Sequence, residues 1–202
     1  VQAVSSVLYD VLNRIVLDAV LDNVNSSERE LALKHKTHWK KNDLIIYDRG
    51  YPSYDFINEH LTARVDALAR VRKNQNTAVI TFINSKKRTA IVDILPHKEQ
   101  DFTAKQYDKK TTIKVRLVRV DLPSGEIEIL MTTLLDSQIY PSSMFKELYF
   151  RRWGIETFYD ELKNKLKVEF FTGYSKSTIM QDFFCAIFIS NLQSVIVNSL
   201  QD

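Results

Sequence analysis

The sequence predicts a mixed α/β fold with a β-rich stretch set into it, and three observations carry that expectation. Strand-like and helix-like segments alternate over the first 73 residues, four strand-like runs crowd residues 74–136, and after Pro141 the apolar period turns helical. The chain has 202 residues, 45% of them hydrophobic, enough for the core of one domain or of one domain carrying an insertion. The expected division is therefore 1–73 for the first part of the core, 74–136 for the insertion and 137–202 for the second part.

Each element has a local reason. AVSSVLYDVL is β-prone, and Asn13-Arg14 sits where a tight turn reverses the chain into IVLDAVLD, so the two runs form a hairpin. Ser27 and Glu30 are spaced as a capping box for a helix with Leu31, Leu33 and Trp39 on its apolar side, ending near Lys41-Asn42. DLIIY reads as a strand, Gly50-Tyr51-Pro52-Ser53 turns the chain into a helix over YDFINEHLTA, and ALARVR is a further strand. Within 74–136, AVITFI, RTAIVDIL, TIKVRLVRVDL and EIEILMTTLL read as strands, with Pro123-Ser124-Gly125 as a hairpin signal. The helical period then runs to about Lys167, Gly173 closes that section, and Ser177 to Leu200 is a last helix. No charge occurs from Phe183 to Leu200, but Ser190, Asn191, Gln193, Ser194, Asn198 and Ser199 interrupt the run, so it reads as a buried helix rather than a membrane span.

Composition excludes several classes. A formal charge of +3 and a pI near 8.8 permit a polyanionic partner without demanding one. One cysteine, Cys185, rules out an internal disulfide, fits a reducing compartment and is read as a core thiol; without a local base it argues against thiol catalysis. Four glycines leave no P-loop or dinucleotide fingerprint, hence no case for ATP or NAD. His35 and His38 lie on a lysine-rich stretch with no completing ligand and read as a solvated face. The chain opens on Val1 without an initiator methionine, a basic leader or an apolar signal core, and reads as a fragment.

The chemistry gathers at two places. The apolar run Leu44-Ile45-Ile46-Tyr47 stops on Asp48, and a carboxylate beside apolar residues costs several kcal/mol unless something meets its charge. A metal cation, an ion pair with Arg49, or a capping role in the following turn would each do so. Further along, ELYFRRWGIETFYDELKNKLK projects Leu148, Ile155, Phe158, Leu162 and Leu166 into a sector of roughly 80° and Tyr149, Arg152, Glu156 and Lys163 into an edge of roughly 60°. Arg151 falls in the apolar sector, its stem packing and its head snorkelling out. The plainest account of the polar edge is a helix boundary with an Arg152/Glu156 pair.

The spacing Tyr149-x2-Arg152-x3-Glu156-x6-Lys163 resembles the Y-R-E-K signature of DDE transposases from bacterial insertion sequences, in the branch typified by insertion sequence number four. YFRRWGIETFYDELK resembles that family's third catalytic block, with Trp153 directly after the arginine. IIYDRGYPS is similar to its second-aspartate strand, SSVLYDVLNRIVLDAVLD to the hairpin between the first and second catalytic aspartates, and Gln181-Asp182-Phe183 to a patch in the last helix. The resemblance covers essentially the whole chain. It implies an RNase H-like mixed sheet with flanking helices, interrupted by a β-rich insertion before the glutamate-bearing helix. It also implies a DNA transposase that uses Mg²⁺ (or Mn²⁺) to cut transposon ends and join them to target DNA.

By that resemblance Asp48 and Glu156 are the catalytic, metal-binding carboxylates, while Tyr149, Arg152, Lys163 and Trp153 bind DNA. The implied partners are transposon-end and target DNA, with a dimer on DNA, no membrane, and a place at the bacterial nucleoid in the cytoplasm. The family's first catalytic aspartate precedes the hairpin, whereas Asp10, Asp18 and Asp22 lie on or after its strands and read as structural; the chain alone is expected to be inactive. A nuclease without strand transfer and an inactive DNA-binding remnant are the alternatives.

The residue types suit the chemistry. Two divalent ions about 3.5 to 4 Å apart generate the nucleophile, stabilise the leaving oxygen and neutralise the phosphate, and such hard cations prefer carboxylate oxygens. The carboxyl edge of an open α/β sheet is where ligands bind. A guanidinium and an ammonium grip phosphates, and a phenol adds a hydrogen bond or a stacking face. Trp153 stacks on an unpaired base or packs in a core or interface. Arg70, Arg72, Lys73, Lys86, Lys87 and Arg88 extend a DNA track or are simply solvated.

Overall fold

Two short-range devices shape the start of the chain. In the computed structural model, which describes residues 3–99, 101–164, 172–173 and 175–200, β1 (Ala3–Asp10) pairs antiparallel with β2 (Ile15–Asn23). Asp10 Oδ1 accepts the N–H groups of Leu12 and Asn13 at 2.9 and 3.1 Å, and Arg14 takes the left-handed φ of 56° that completes the reversal. The hairpin belongs to one of two compact units, Val1–His38 with Arg151–Asp202; the other is Trp39–Phe150.

The first unit adds α1 (Glu28–Lys34), α5 (Trp153–Asn164) and α6 (Lys176–Ser199) to the hairpin. Val16, Phe158, Leu162, Phe183, Ala186 and Ile187 form its core, with Val7, Tyr9, Ile155 and Tyr159 packed against it. Ser27 occupies the cap position of α1 without making a side-chain capping bond, so the expected capping box does not form. His35 also departs from expectation. It is 3% exposed, its ring held between Asp18 (Nδ1 to Oδ2, 2.7 Å) and Ser6 (Nε2 to Oγ, 3.0 Å), because the turn after α1 directs it into the hairpin instead of the solvent.

α6 is buried on one face only. Ile179, Phe183, Ala186 and Ile187 recur at helical spacing toward the core, whereas Phe184, Phe188, Ile189, Leu192, Val195 and Ile196 are exposed. The expectation of a buried helix holds for that stripe and fails for the rest. Cys185, two residues past Phe183 and so about 200° around the axis, is exposed and is not a core thiol. Length and composition alone would let α6 cross a membrane. One of its polar interruptions has a defined job: Asn191 Oδ1 accepts from Val16 N (2.8 Å) and its Nδ2 donates to Val16 O (2.9 Å), completing the backbone bonding of β2.

The second unit is a five-stranded sheet in the order β3-β4-β7-β6-β5, built from β3 (Leu44–Tyr47), β4 (Asp66–Arg70), β5 (Thr89–Ile94), β6 (Ile113–Asp121) and β7 (Ile127–Thr132). β3 and β4 run parallel through the crossover helix α2 (Tyr54–Ala63), and the remaining pairs are antiparallel. Ser53 Oγ caps α2 by accepting from Phe56 N at 3.2 Å. The strands of 74–136 thus continue the sheet that β3 and β4 begin. The segment AVITFI, expected as a strand, lies in the helix α3 (Thr77–Asn84). Asn76 Oδ1 caps that helix at Val79 N (2.9 Å), and Val79 with Phe82 supplies the i,i+3 stripe that local β propensity hid.

Leu68, Val118, Val120, Leu130, Leu134, Phe145 and Tyr149 make the core of this unit. Arg116, 1% exposed, lies in it as well: its guanidinium donates to Thr89 Oγ1 (2.8 Å) and Tyr140 O (2.6 Å) and stacks 5.2 Å from the Phe145 ring centroid. It thereby ties the chain leading into α4 (Phe145–Phe150) to β6. The single long helix expected here is broken: α4 ends at Phe150, Arg151 and Arg152 form a turn, and α5 begins at Trp153. Gly154 favours the break, and a Cβ there would lie 3.3 Å from Val11 Cγ1, so the missing side chain also admits the hairpin turn. Leu148 consequently packs in the second core and Ile155, Phe158 and Leu162 in the first, while Leu166 lies outside the described residues, as does the expected helix end at Lys167.

Candidate active site

β3 delivers Asp48 to the end of the sheet. The pairing of Tyr47 with Ala69 sets Asp48 level with Arg70, the last residue of parallel β4. Arg70 Nη2 donates to Asp48 Oδ1 at 3.2 Å, and the Tyr149 hydroxyl donates to the same oxygen at 3.3 Å. Arg70 Nη1 meets Glu128 Oε1 at 2.7 Å, so one guanidinium bridges carboxylates from β3's end and β7. Burial works against the charge of Arg70, but the Glu128 hydrogen bond and the negative charge around it outweigh that effect and raise its pKa. The Asp48 side chain remains 47% exposed.

Arg70 and Glu128 were not foreseen as partners of Asp48; adjacent Arg49 was. The signal lay in register: an arginine ending the strand ALAR can reach Asp48 only if that strand runs parallel to LIIY. Tyr149 is 7% exposed and belongs with Asp48 through the second core.

Arg152, Trp153, Glu156 and Lys163 belong to the first unit. Arg152 Nη1 forms an ion pair with Glu156 Oε1 one helical turn on, and its Cζ lies 5.0 Å from the Trp153 ring centroid. Glu156 stands in the first turn of α5, where the helix dipole favours a carboxylate, and its side chain is 43% exposed. Lys163, seven residues later, shares that helix face and is exposed. The break before Trp153 means that the polar edge of four residues is not the edge of one helix: Tyr149 is carried by α4, and Glu156 and Lys163 by α5.

The remaining acidic candidates are committed elsewhere. Asp10 caps the hairpin turn, Asp18 holds His35, and Asp22 pairs with Lys34 at 2.5 Å. Of the basic track, Arg70 is engaged as described, Arg88 pairs with Asp121 at 2.6 Å, and Arg72, Lys73, Lys86 and Lys87 are exposed. Among the described residues no group of three or more His, Cys, Asp or Glu side chains could hold a metal ion. Asp48 offers carboxylate oxygen, the donor type that hard cations prefer, and its Oδ1 faces the Arg70 guanidinium.

A family model described as Transposase DDE domain matches residues 5–192. No curated protein matches the chain.

Proposed function

The chain belongs to the Transposase DDE domain family, its mixed sheet with flanking helices having the RNase H-like form, and we propose that it is the part of a DNA transposase that carries two of the catalytic carboxylates, Asp48 and Glu156. The family match over residues 5–192 carries this reading. The Y-R-E-K spacing supports placing the chain in the branch typified by insertion sequence number four.

In this reading Asp48 and Glu156 hold divalent ions, Mg²⁺ or Mn²⁺. When bound, such ions supply the activated oxygen nucleophile and the charge neutralisation that phosphodiester cleavage and strand transfer need. The protein's own contribution is positioning. The Tyr149 hydroxyl and Arg70 aim the Asp48 carboxylate from two sides, and the start of α5 presents Glu156 with Arg152 beside it. Arg152 and Lys163 neutralise phosphates of the transposon end, and Trp153, 53% exposed and stacked with Arg152, offers a face to an unpaired base. Tyr149, buried against Asp48, contributes to DNA binding mainly by fixing that carboxylate.

Asp10, Asp18 and Asp22 are tied into the hairpin and its neighbours and do not serve as a third catalytic carboxylate. We further propose residues 74–136 as the insertion between 1–73 and 137–202 of the catalytic core, a dimer assembled on transposon-end and target DNA without a membrane, and a site of action in the bacterial cytoplasm.

The test is Mg²⁺-dependent cleavage and joining of a labelled transposon end by a transposase carrying this domain. Asp48→Asn and Glu156→Gln should each lower cleavage by about 10³-fold or more while leaving metal-free DNA affinity unchanged. Normal cutting by either variant would overturn the assignment. Cleavage without joining would identify a nuclease, and DNA binding without cleavage by the unsubstituted protein would identify an inactive remnant.

A further inference from the structure

α6 has two apolar faces and fills only one of them. Toward the hairpin it buries Ile179, Phe183, Ala186 and Ile187, and the paired bonds between Asn191 and the Val16 backbone fix that orientation. At 100° per residue, Phe184, Phe188, Ile189, Leu192, Val195 and Ile196 fall within roughly 140° on the opposite side, with Cys185 among them. These six are 40–68% exposed, and Leu200 at the C-terminal cap is 81% exposed. Taking about 200 Å² for a fully exposed residue of this size, the stripe leaves roughly 800 Å² uncovered. The largest apolar patch on a monomer is ordinarily about 300–600 Å², and one side of a stable protein–protein interface is about 800 Å².

We propose that this stripe is the surface on which a second copy of the chain docks, α6 against α6. The pairing needs no DNA and does not rest on the catalytic assignment of Asp48 or Glu156. Its area is that of one side of a stable dimer. Its chemistry suits a copy of itself: in a two-fold interface the same patch meets itself, and the run from Phe183 to Leu200 has no Asp, Glu, Lys or Arg to bring like charges together. Cys185, Ile189, Leu192 and Ile196 follow one another at spacings of four, three and four. That is the seam of a helix pair with Ile at a and Leu at d, the choice that favours two strands. Exposed Gln181, Gln193 and Ser199 border the stripe as an uncharged polar rim. A lipid surface is the poorer match, because helices that lie among headgroups carry Lys and Arg on a free polar face, whereas the other face of α6 is packed into the core.

The test is sedimentation equilibrium of the 202-residue chain without DNA, with circular dichroism to compare folding. The chain should be dimeric at about 50 μM, within the range of affinities that interfaces of this size reach. Phe188→Glu and Ile196→Glu should each weaken association by about tenfold or more, since each would put an unpaired carboxylate in the interface twice. Ile139→Glu, at a 65% exposed residue of the other unit, should leave it unchanged. Cys185, as the single cysteine, reports the face directly: its alkylation by N-ethylmaleimide should slow at least about three-fold as the dimer forms, and should stay fast in both glutamate variants. A chain that stays monomeric overturns the proposal, as does a dimer that neither glutamate substitution weakens or that leaves Cys185 equally reactive. Flotation of a monomeric chain with phosphatidylglycerol vesicles, lost in Phe188→Glu, would assign the stripe to a membrane surface instead. Should one glutamate variant not fold, the other and the alkylation rate of the unsubstituted chain still decide.

Discussion

The two carboxylates proposed for catalysis each face an arginine, but they acquire it in different ways. Glu156 pairs with Arg152 one helical turn away, and four residues of sequence are enough to make that contact. Asp48 meets Arg70 across a parallel strand pair 22 residues on, and Tyr149 from α4, 101 residues on. Arg70 is itself anchored to Glu128, so the charge at Asp48 is set by three elements of one sheet and a helix. The comparison teaches that a local pair needs only one helical turn to form, whereas a bridged pair ties a site to the integrity of its sheet.

The largest expected effects test whether the two units stand on separate cores. Phe158→Ala in the first unit and Phe145→Ala in the second should each cost about 3–5 kcal/mol, since both rings are almost wholly buried. Amide hydrogen exchange should then separate them: Phe158→Ala should deprotect β1 and β2, and Phe145→Ala should deprotect β6 and β7, where Arg116 also loses the ring it stacks on. Equal deprotection of both regions by either substitution would show a single cooperative core.

A smaller effect sharpens the anchoring of α6. Asn191→Ala removes both side-chain bonds to the Val16 backbone and should destabilise the first unit by about 2 kcal/mol, read from urea unfolding. A cost below about 0.5 kcal/mol would mean that water replaces the amide there.

The residues proposed to contact DNA should respond on another axis. Arg152→Ala and Lys163→Ala should each reduce the salt slope of DNA binding by about one, as expected when one phosphate contact is lost. Tyr149→Phe, which removes a single 3.3 Å bond to Asp48, should leave that slope unchanged and cost at most about 1 kcal/mol of stability. An altered slope in Tyr149→Phe would place the phenol on a phosphate and blur the distinction between the two regions.

Much of the fold was legible because its signals are short-range. Asp10 and Arg14 turn the hairpin, Ser53 caps α2, and the apolar run before Asp48 forms β3, all from neighbours a few residues apart. The misreadings share one cause. AVITFI has strand-forming residues but sits behind the cap of Asn76, and the 145–164 segment has one apolar period but two cores to fill, so it breaks at Arg151-Arg152. His35 and Cys185 traded places relative to expectation, the polar ring buried on Asp18 and the thiol exposed, because the rotation of each element about its axis is set by what it packs on.

The sequence by itself determined the family, the mixed α/β class, the Asp48 and Glu156 candidates and the Arg152–Glu156 pair, since each is written in residue types at fixed short spacing. Tertiary structure decided that Tyr149 and Arg70 meet Asp48, that Glu128 holds Arg70, and that a buried Arg116 secures the approach to α4. Those contacts depend on strand order, parallel register and the placement of a helix break. The free energy of such pairings comes from burying apolar faces against partners far along the chain, and local spacing carries no record of which partner that will be.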